Sequence, residues 1–292
     1  MMKGFLLIDK ESGVTSFDVV KTVRRILSEK AGAKVKVGHS GTLDPLATGL
    51  LLIAVGEGTK LLEYIIGFDK EYEVLAKFGE ISDSYDADGE IAAGGEGNFS
   101  QKEVEKAIKQ NFLGKIQQLP PKYSALKING KRACDRVRAG EEVEMEPREV
   151  RIDSFEVTEF NWPEVRFVVR CGSGTYIRSL VHDLGQELGC GAYVKELRRT
   201  WIGQFEIDFA TRSEDLEKYD IEADLLSLDS AAVMIMDCMQ LTEEEMHGLE
   251  DGKVLKGKRI EHGNPVAAFS GAKLLGILEN HDGGVKYRKL IH

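Results

Sequence analysis

The sequence is expected to fold as an α+β protein. Three stretches are compatible with that class. Residues 149–160 and 164–171 read as neighbouring strands, residues 177–188 carry an apolar stripe at helical spacing, and short apolar runs broken by glycine and asparagine follow Gly252.

Taken in order, Phe5-Leu6-Leu7-Ile8 reads as a buried first strand. Thr15 or Ser16 then caps a helix with Phe17, Val20, Val23 and Leu27 on one face. Residues 49–55 form a continuous apolar run, a strand or a buried helix, and 72–78 alternate loosely as a strand does. Residues 82–98 are acidic and glycine-rich and read as a loop. Ser100-Gln101-Lys102-Glu103 is a capping box, and Val104, Ala107, Ile108 and Phe112 follow it as a helical face. Leu119-Pro120-Pro121 ends that unit, and Asn161-Trp162-Pro163 marks the turn between the paired strands. Ile177, Leu180, Val181, Leu184 and Leu188 form the helical stripe, which stops at Gly189. A second short helix is expected over about 192–199, and helical patches over 216–228. Thr242 starts a further helix, and the last stretch reads as a small β-rich module. The domain boundary is placed near 229–235.

Hydrophobic residues make up 42% and charged residues 30% of the chain, with only 6 prolines, which excludes a disordered class. The 4 cysteines form no C-x-x-C pair and read as reduced, mostly buried thiols. The N-terminal apolar run is too short for a signal peptide, and no run approaches a membrane span. A cytoplasmic protein is expected.

The net charge of −10 argues against a nucleic-acid partner until its distribution is considered. Residues 213–252 hold 13 acids and one base, Lys218, so one segment carries the whole excess. Over residues 122–138 the balance reverses: Lys122, Lys127, Lys131, Arg132, Arg136 and Arg138 face a single acid, Asp135. A local basic surface is what phosphate binding needs, because salt screens charge beyond about 8–10 Å. A plain solvated face produces the same cluster.

Most catalytic motifs are absent or broken. Asp83, Asp86, Asp88 and Gly89 fail the calcium-loop spacing, because Gly95 would stand where a bidentate acid is required. They read as a solvated acidic turn, and no metal is expected. Gly172-Ser173-Gly174 begins like a dinucleotide fingerprint, but Ile177 replaces its third glycine. Nothing in the spacing of Ser40, His182 and Asp183 supports a serine hydrolase. Asp44 remains. Gly38, Gly41 and Gly49 surround it, and Pro45 stiffens the chain behind it. On local features this is a structural Asx-turn before it is a presented carboxylate.

The segment from Gly38 to Lys60, with Gly41-Thr42-Leu43-Asp44-Pro45-Leu46-Ala47-Thr48-Gly49 at its centre, resembles the signature of the TruB family, the tRNA pseudouridine-55 synthases. So do Lys70-Glu71-Tyr72-Glu73-Val74 and the run from Pro120 to Lys127 with Gly130. A fourth match is Gly174-Thr175-Tyr176-Ile177-Arg178-Ser179-Leu180, with Asp183-Leu184-Gly185 and Leu197-Arg198-Arg199 beyond it. The four fall in the family's order and span residues 3–203. The last 60 or so residues resemble, more weakly, the PUA-type RNA-binding module.

The resemblance implies a mixed, mostly antiparallel sheet flanked by helices (1–229) and a PUA-like domain (230–292). It implies isomerisation of uridine 55 in the tRNA T-loop, by a monomer, without cofactor. It assigns Asp44 as the catalytic carboxylate, Arg178 as its charge partner, and Tyr72 as the ring that stacks on the base and serves as general base. Tyr176 and Leu197 would line the uracil pocket, and Lys10 would hold the first motif beside it. His39 would enter the RNA where the flipped base left. Lys122, Lys127, Lys131 and Arg132 become candidates for gripping the T-stem-loop. Three positions depart from the family pattern: Glu11 stands where proline is usual, which loosens the first motif, Ser40 where threonine is common, and Cys134 where an aromatic is usual. A guide-RNA-dependent synthase and a non-catalytic tRNA-binding or folding protein are the alternatives.

Overall fold

The computed structural model describes residues 2–124, 126–128, 130–218 and 220–291, with only the backbone at Lys127 and Arg132. Ten strands form one large mixed sheet. Its order runs Thr211–Arg212, Gly4–Lys10, Thr48–Val55, Ala192–Ile202, Lys70–Phe78, Glu164–Cys171, Arg148–Asn161, Gly114–Gln118. Val37–His39 and Phe205–Glu206 pair at its margins. Only two contacts are parallel, those of Gly4–Lys10 with Thr211–Arg212 and of Thr48–Val55 with Ala192–Ile202. The sheet is therefore mixed and mostly antiparallel, as expected.

The run 49–55 is a strand, buried throughout because both faces of the sheet are covered there. One face carries the helices Ser16–Ala31, Gln101–Asn111 and Ile177–Glu187 over a core that includes Val20, Val23, Val104, Ile108, Leu180 and Leu184. The other face packs against the helix Leu228–Ile235 and the C-terminal sheet, in a core joining Phe5, Leu50 and Leu52 to Phe269, Leu274 and Ile277. The C-terminal sheet has five strands, ordered Cys238–Gln240, Val266–Ser270, Lys273–His281, Gly284–Leu290, Leu255–Lys256. A β-rich terminal module is thus present. The 229/230 division falls inside the Leu228–Ile235 helix, whose buried residues belong to the shared core.

Several local expectations change. Phe17 is 54% exposed, while Ser16 and Val19 take the buried positions of the first helix. Thr15 alone is its N-cap, in a capping box with Asp18. The helix expected over 192–199 is instead the central strand Ala192–Ile202. Register shifts at Val194/Glu196 and Arg199/Trp201 break its alternation, which is why its apolar residues mimic helical spacing. The patches over 216–228 are turns, and the helix begins where they end. The 82–98 stretch is partly drawn into a short hairpin, Glu80–Ser82 with Ile91–Ala93. Of the four free cysteines, Cys171 and Cys190 are buried, Cys134 is half-buried and Cys238 is exposed. No helix among the described residues is long and apolar enough to cross a membrane.

The acidic segment is not one face. Glu217, Asp220 and Glu222 reach back to the first helix, where Arg25 meets Glu217 and Lys30 bridges Asp220 (2.6 Å) and Glu222 (2.8 Å). The acids Glu243 to Glu245 instead open the helix Glu243–Glu250, where negative charge favours the N-terminus.

Candidate active site

Asp44 follows the Val37–His39 strand and precedes Thr48–Val55, both on the sheet. Its turn is closed by the main chain, with Ala47 N–H donating to Asp44 O (3.1 Å). Pro45 in second position suits such a turn. The carboxylate is thereby left for another partner. Ser16 fixes the residue before it: Leu43 N–H donates to Ser16 Oγ (2.8 Å), and that hydroxyl donates back to Leu43 O (3.0 Å). Lys10, fully buried, fixes the residue after it by donating to Pro45 O (3.3 Å) while also binding Val14 O and Glu11 O, both at 2.8 Å. Burial pulls its ammonium down to about 8, against the opposing charge of Asp44. Gly49 is required by packing as well as by conformation. Its φ is +104°, and a β-carbon there would lie 2.3 Å from Arg199 O on the neighbouring strand. Glu11 does not leave the first motif loose, since its N–H, which proline lacks, donates to Ser213 Oγ (3.0 Å).

Arg178 opens the helix Ile177–Glu187 and is 3% exposed. Its Nη2 stands 2.8 Å from Asp44 Oδ2 and donates to Tyr123 O (2.9 Å). Its Nη1 stands 3.1 Å from Asp86 Oδ2 and donates to Ser84 O (2.8 Å). One guanidinium therefore ties together the 44 loop, the 84–86 turn and the 120s segment. The Asp44 side chain is 36% exposed, whereas that of Asp86 is 5%. Burial pushes the Asp44 carboxyl above its ordinary range; Arg178 opposes this and Asp86 reinforces it.

Asp86 is the main correction to the sequence reading. It belongs to no solvated acidic turn. It accepts from Ser84 Oγ (2.5 Å) and Asp88 N–H (3.1 Å) with one oxygen and faces Arg178 with the other. Its neighbours Asp83 and Asp88 masked this, because a cluster of acids in a glycine-rich stretch reads as surface. Gln118 was not singled out in the sequence, Ser16 only as a cap candidate and Arg199 only as part of a motif, without their roles at the site. Arg199 is 1% exposed and donates to Leu50 O (2.8 Å) and Gly41 O (3.3 Å), bracing the Asp44 loop from the central strand. Gln118, fully buried, holds Tyr176 reciprocally: Tyr176 N–H donates to Gln118 Oε1 (2.8 Å), and Gln118 Nε2 donates to Tyr176 O (3.0 Å).

A cavity of about 340 Å³ opens above these residues, and Asp44, Tyr72, Tyr176, Arg178, Leu197 and Arg199 line it with Lys70 and Leu126. That volume is within the usual range for small-ligand sites. Five of the seven expected catalytic and substrate residues are thus brought together; Lys10 acts from beneath through Pro45, and His39 stands beside the cavity. Tyr72 is 8% exposed, and burial pushes its phenol up while the charge of Arg199 opposes that shift. Lys70, two residues earlier on the same strand, donates to Ile66 O and Phe68 O, and burial pulls it down to about 8. His39 accepts from Gly41 N–H through Nδ1 (3.3 Å), and burial and Arg199 both pull its pKa down, so the ring is neutral near pH 7.

The basic 122–138 stretch borders the cavity through Leu126. Lys127–Ile128 and Lys131–Arg132 form a strand pair followed by the helix Ala133–Arg138, with a small core of Ala133, Val143 and Met145 separate from the main one. Lys122 and Lys131 are exposed; the side chains of Lys127 and Arg132 lie outside the described residues. Arg136 is partly neutralised by Glu141 (2.6 Å).

The sheet, its helices and the terminal module superpose on the fold of a solved Cbf5-Nop10-Gar1 complex, with a TM-score of 0.74 and 25% identity over 99% of this chain and 85% of that one. Fold and cleft together define a pseudouridine synthase. The model of the TruB family pseudouridylate synthase N-terminal domain matches residues 24–177, and that of the tRNA pseudouridylate synthase B C-terminal domain matches 178–234. The tRNA pseudouridine synthase B of Azoarcus sp. is 39% identical over 293 residues, covering 100% of this chain and 95% of its own length. That of Aquifex aeolicus is 37% identical, covering 99% and 100%. The chain belongs to the TruB family of pseudouridylate synthases.

Proposed function

We propose that this enzyme isomerises uridine 55 in the T-loop of tRNA to pseudouridine, with Asp44 acting on a uridine flipped out of the stack. The observation that carries the reading is the pairing of Asp44 Oδ2 with Arg178 Nη2 at 2.8 Å, inside a cavity that two tyrosines and Leu197 line. When the glycosidic bond breaks, its electron pair stays on the uracil nitrogen and the sugar carbon becomes electron-poor. Asp44 meets that carbon as nucleophile or counter-charge. The turned uracil then bonds to it through C5, whose proton is lost while the freed nitrogen gains one. Atoms and charge balance without a redox partner.

Arg178 keeps Asp44 ionised, and the burial that opposes ionisation makes the carboxylate more reactive than a solvated one. Tyr72 offers a flat face for stacking; burial favours its neutral phenol, and the Arg199 charge opposes this by favouring the phenolate, the form a base needs. His39, neutral and beside the cavity, suits the space the base vacates. The exposed Lys122 and Lys131 supply charge for the phosphates. The relatives named tRNA pseudouridine synthase B, near 40% identity, favour action on tRNA without a guide over the arrangement in the Cbf5 complex. The test is mapping of pseudouridine in a bare T-stem-loop RNA by mass spectrometry after derivatisation selective for pseudouridine, since the isomer has the mass of uridine. Wild type is expected to modify it unaided, and Asp44→Asn to bind it without modifying it. A requirement for guide RNA, or normal turnover by Asp44→Asn, overturns the reading.

A further inference from the structure

Tyr85 is held in a conformation that large side chains avoid. Its φ is +65°, in the left-handed region, one of two such non-glycine residues among those described. It lies between Ser84 and Asp86, the two groups that share Arg178 Nη1. Strain of this kind persists only where the surroundings over-determine it. Two contacts do so here. Tyr85 O accepts from Val194 N–H (3.0 Å) while Val194 O accepts from Ala87 N–H (2.9 Å), which fastens the turn to the central strand. The Tyr85 ring also stacks on His182, with centroids 3.8 Å apart and planes 14° from parallel. His182 follows Arg178 by one turn of the same helix, so the two side chains face the same way. The His182 Nδ1 is buried without a hydrogen-bond partner among the described residues, so the ring is held there by stacking.

Helix and turn are therefore joined at two points. At one, Arg178 meets Ser84 O and Asp86; at the other, His182 meets Tyr85. We propose that Tyr85 and His182 are positioning residues, whose stack holds the 84–86 turn against the catalytic helix and so fixes the guanidinium that orients Asp44. The proposal rests on the reading of Asp44 and Arg178 given above. Neither ring lines the cavity, so loss of the stack should slow the chemical step and leave RNA binding alone.

The test measures single-turnover pseudouridine formation and T-stem-loop affinity in the full chain. His182→Ala and Tyr85→Gly are expected to slow the single-turnover step by about tenfold or more, since misplacement by about an ångström costs that and beyond. Affinity should stay within about twofold, because only the transition state is affected. His182→Phe and Tyr85→Phe keep a stackable ring and should stay close to wild type. In His182→Ala the acid limb of the pH–rate profile should move to higher pH, because a loosened Arg178 holds Asp44 ionised less well against Asp86, with Lys10 the remaining nearby cation. Full single-turnover rates in folded His182→Ala, or a His182→Phe as slow as His182→Ala, overturn the proposal while leaving the assigned function intact. A wild type that forms no pseudouridine overturns both.

Discussion

Replacing Arg178 by methionine tests whether the site is built around one shared cation. Arg178 is 3% exposed and satisfies two carboxylates and two carbonyls belonging to three separate chain segments. Methionine fills much of the volume and supplies none of the donors. Breaking a buried ion pair by removing one partner costs about 3–5 kcal/mol, because the other charge stays behind in low dielectric. The loss of bonds to Ser84 O and Tyr123 O falls within the same disruption and is not counted again. Asp44, one-third exposed, recovers some hydration, whereas Asp86 at 5% does not, so the expected cost stays in that range. For a chain of this size it corresponds to a fall in melting temperature of about 6–20 °C. Asp44→Asn should behave oppositely. Arg178 keeps Asp86, and the amide removes a charge whose ionisation the fold disfavours. A group with a raised folded pKa contributes stability that is lost as pH rises through it, so a neutral replacement costs little near pH 7. The assay is thermal melting by circular dichroism at pH 5 and 7, beside single-turnover activity. Both variants should be inactive, only Arg178→Met should melt early, and its deficit should shrink at pH 5 as the freed Asp44 carboxylate, raised by burial, takes up a proton. Equal melting of Arg178→Met and wild type at pH 7 would refute the shared-cation reasoning.

Three further outcomes follow from the same geometry. The acid limb of the single-turnover pH profile should lie above the ordinary carboxylate value of about 3.9, because burial raises Asp44; Asp86→Asn should move that limb to lower pH by removing a nearby like charge. Gly49→Ala puts a methyl carbon 2.3 Å from Arg199 O at a φ of +104°, and should cost about 1–3 kcal/mol by overpacking, read as earlier melting with slower turnover. Tyr72→Phe keeps the stacking face and loses the oxygen, so RNA binding should persist; a single-turnover rate lowered by about 10²–10⁴ supports proton transfer at that oxygen, and an unchanged rate excludes it.

The residues that line the cavity were legible in the sequence because they fall within the motifs. Asp44, Tyr72, Tyr176, Arg178 and Leu197 come from four stretches up to 153 positions apart, yet they line one cavity. The residues that hold them were not legible in the same way. Ser16 looked like a helix cap, and caps normally spend their hydroxyl on the helix; here Thr15 does so, which frees Ser16 for Leu43. Gln118 preceded a proline-rich break and looked like a unit's end. The central strand looked like a helix because two bulges disturb its alternation, and the second of them falls at Arg199, which braces Gly41 and Leu50. In each case a polar side chain is spent on main-chain groups far away in sequence, and periodicity contains no record of such pairings.

The charges around Asp44 explain why Arg178 is shared instead of dedicated. A guanidinium given wholly to Asp44 would stabilise the carboxylate in the ground state as much as anywhere else and leave it a poor nucleophile, since uniform binding gains nothing for the chemical step. Asp86 takes half of the fork, so Arg178 fixes the Asp44 oxygen in space while part of its field is already compensated. Lys10 adds a second cation beneath the loop but spends its hydrogen bonds on carbonyls, acting on Asp44 only through distance. The carboxylate is therefore oriented by Arg178 while burial and Asp86 leave its ionised form under-stabilised. On the proposed route, positive charge developing at a sugar carbon would supply the stabilisation that the resting site withholds, and that difference would accelerate the reaction.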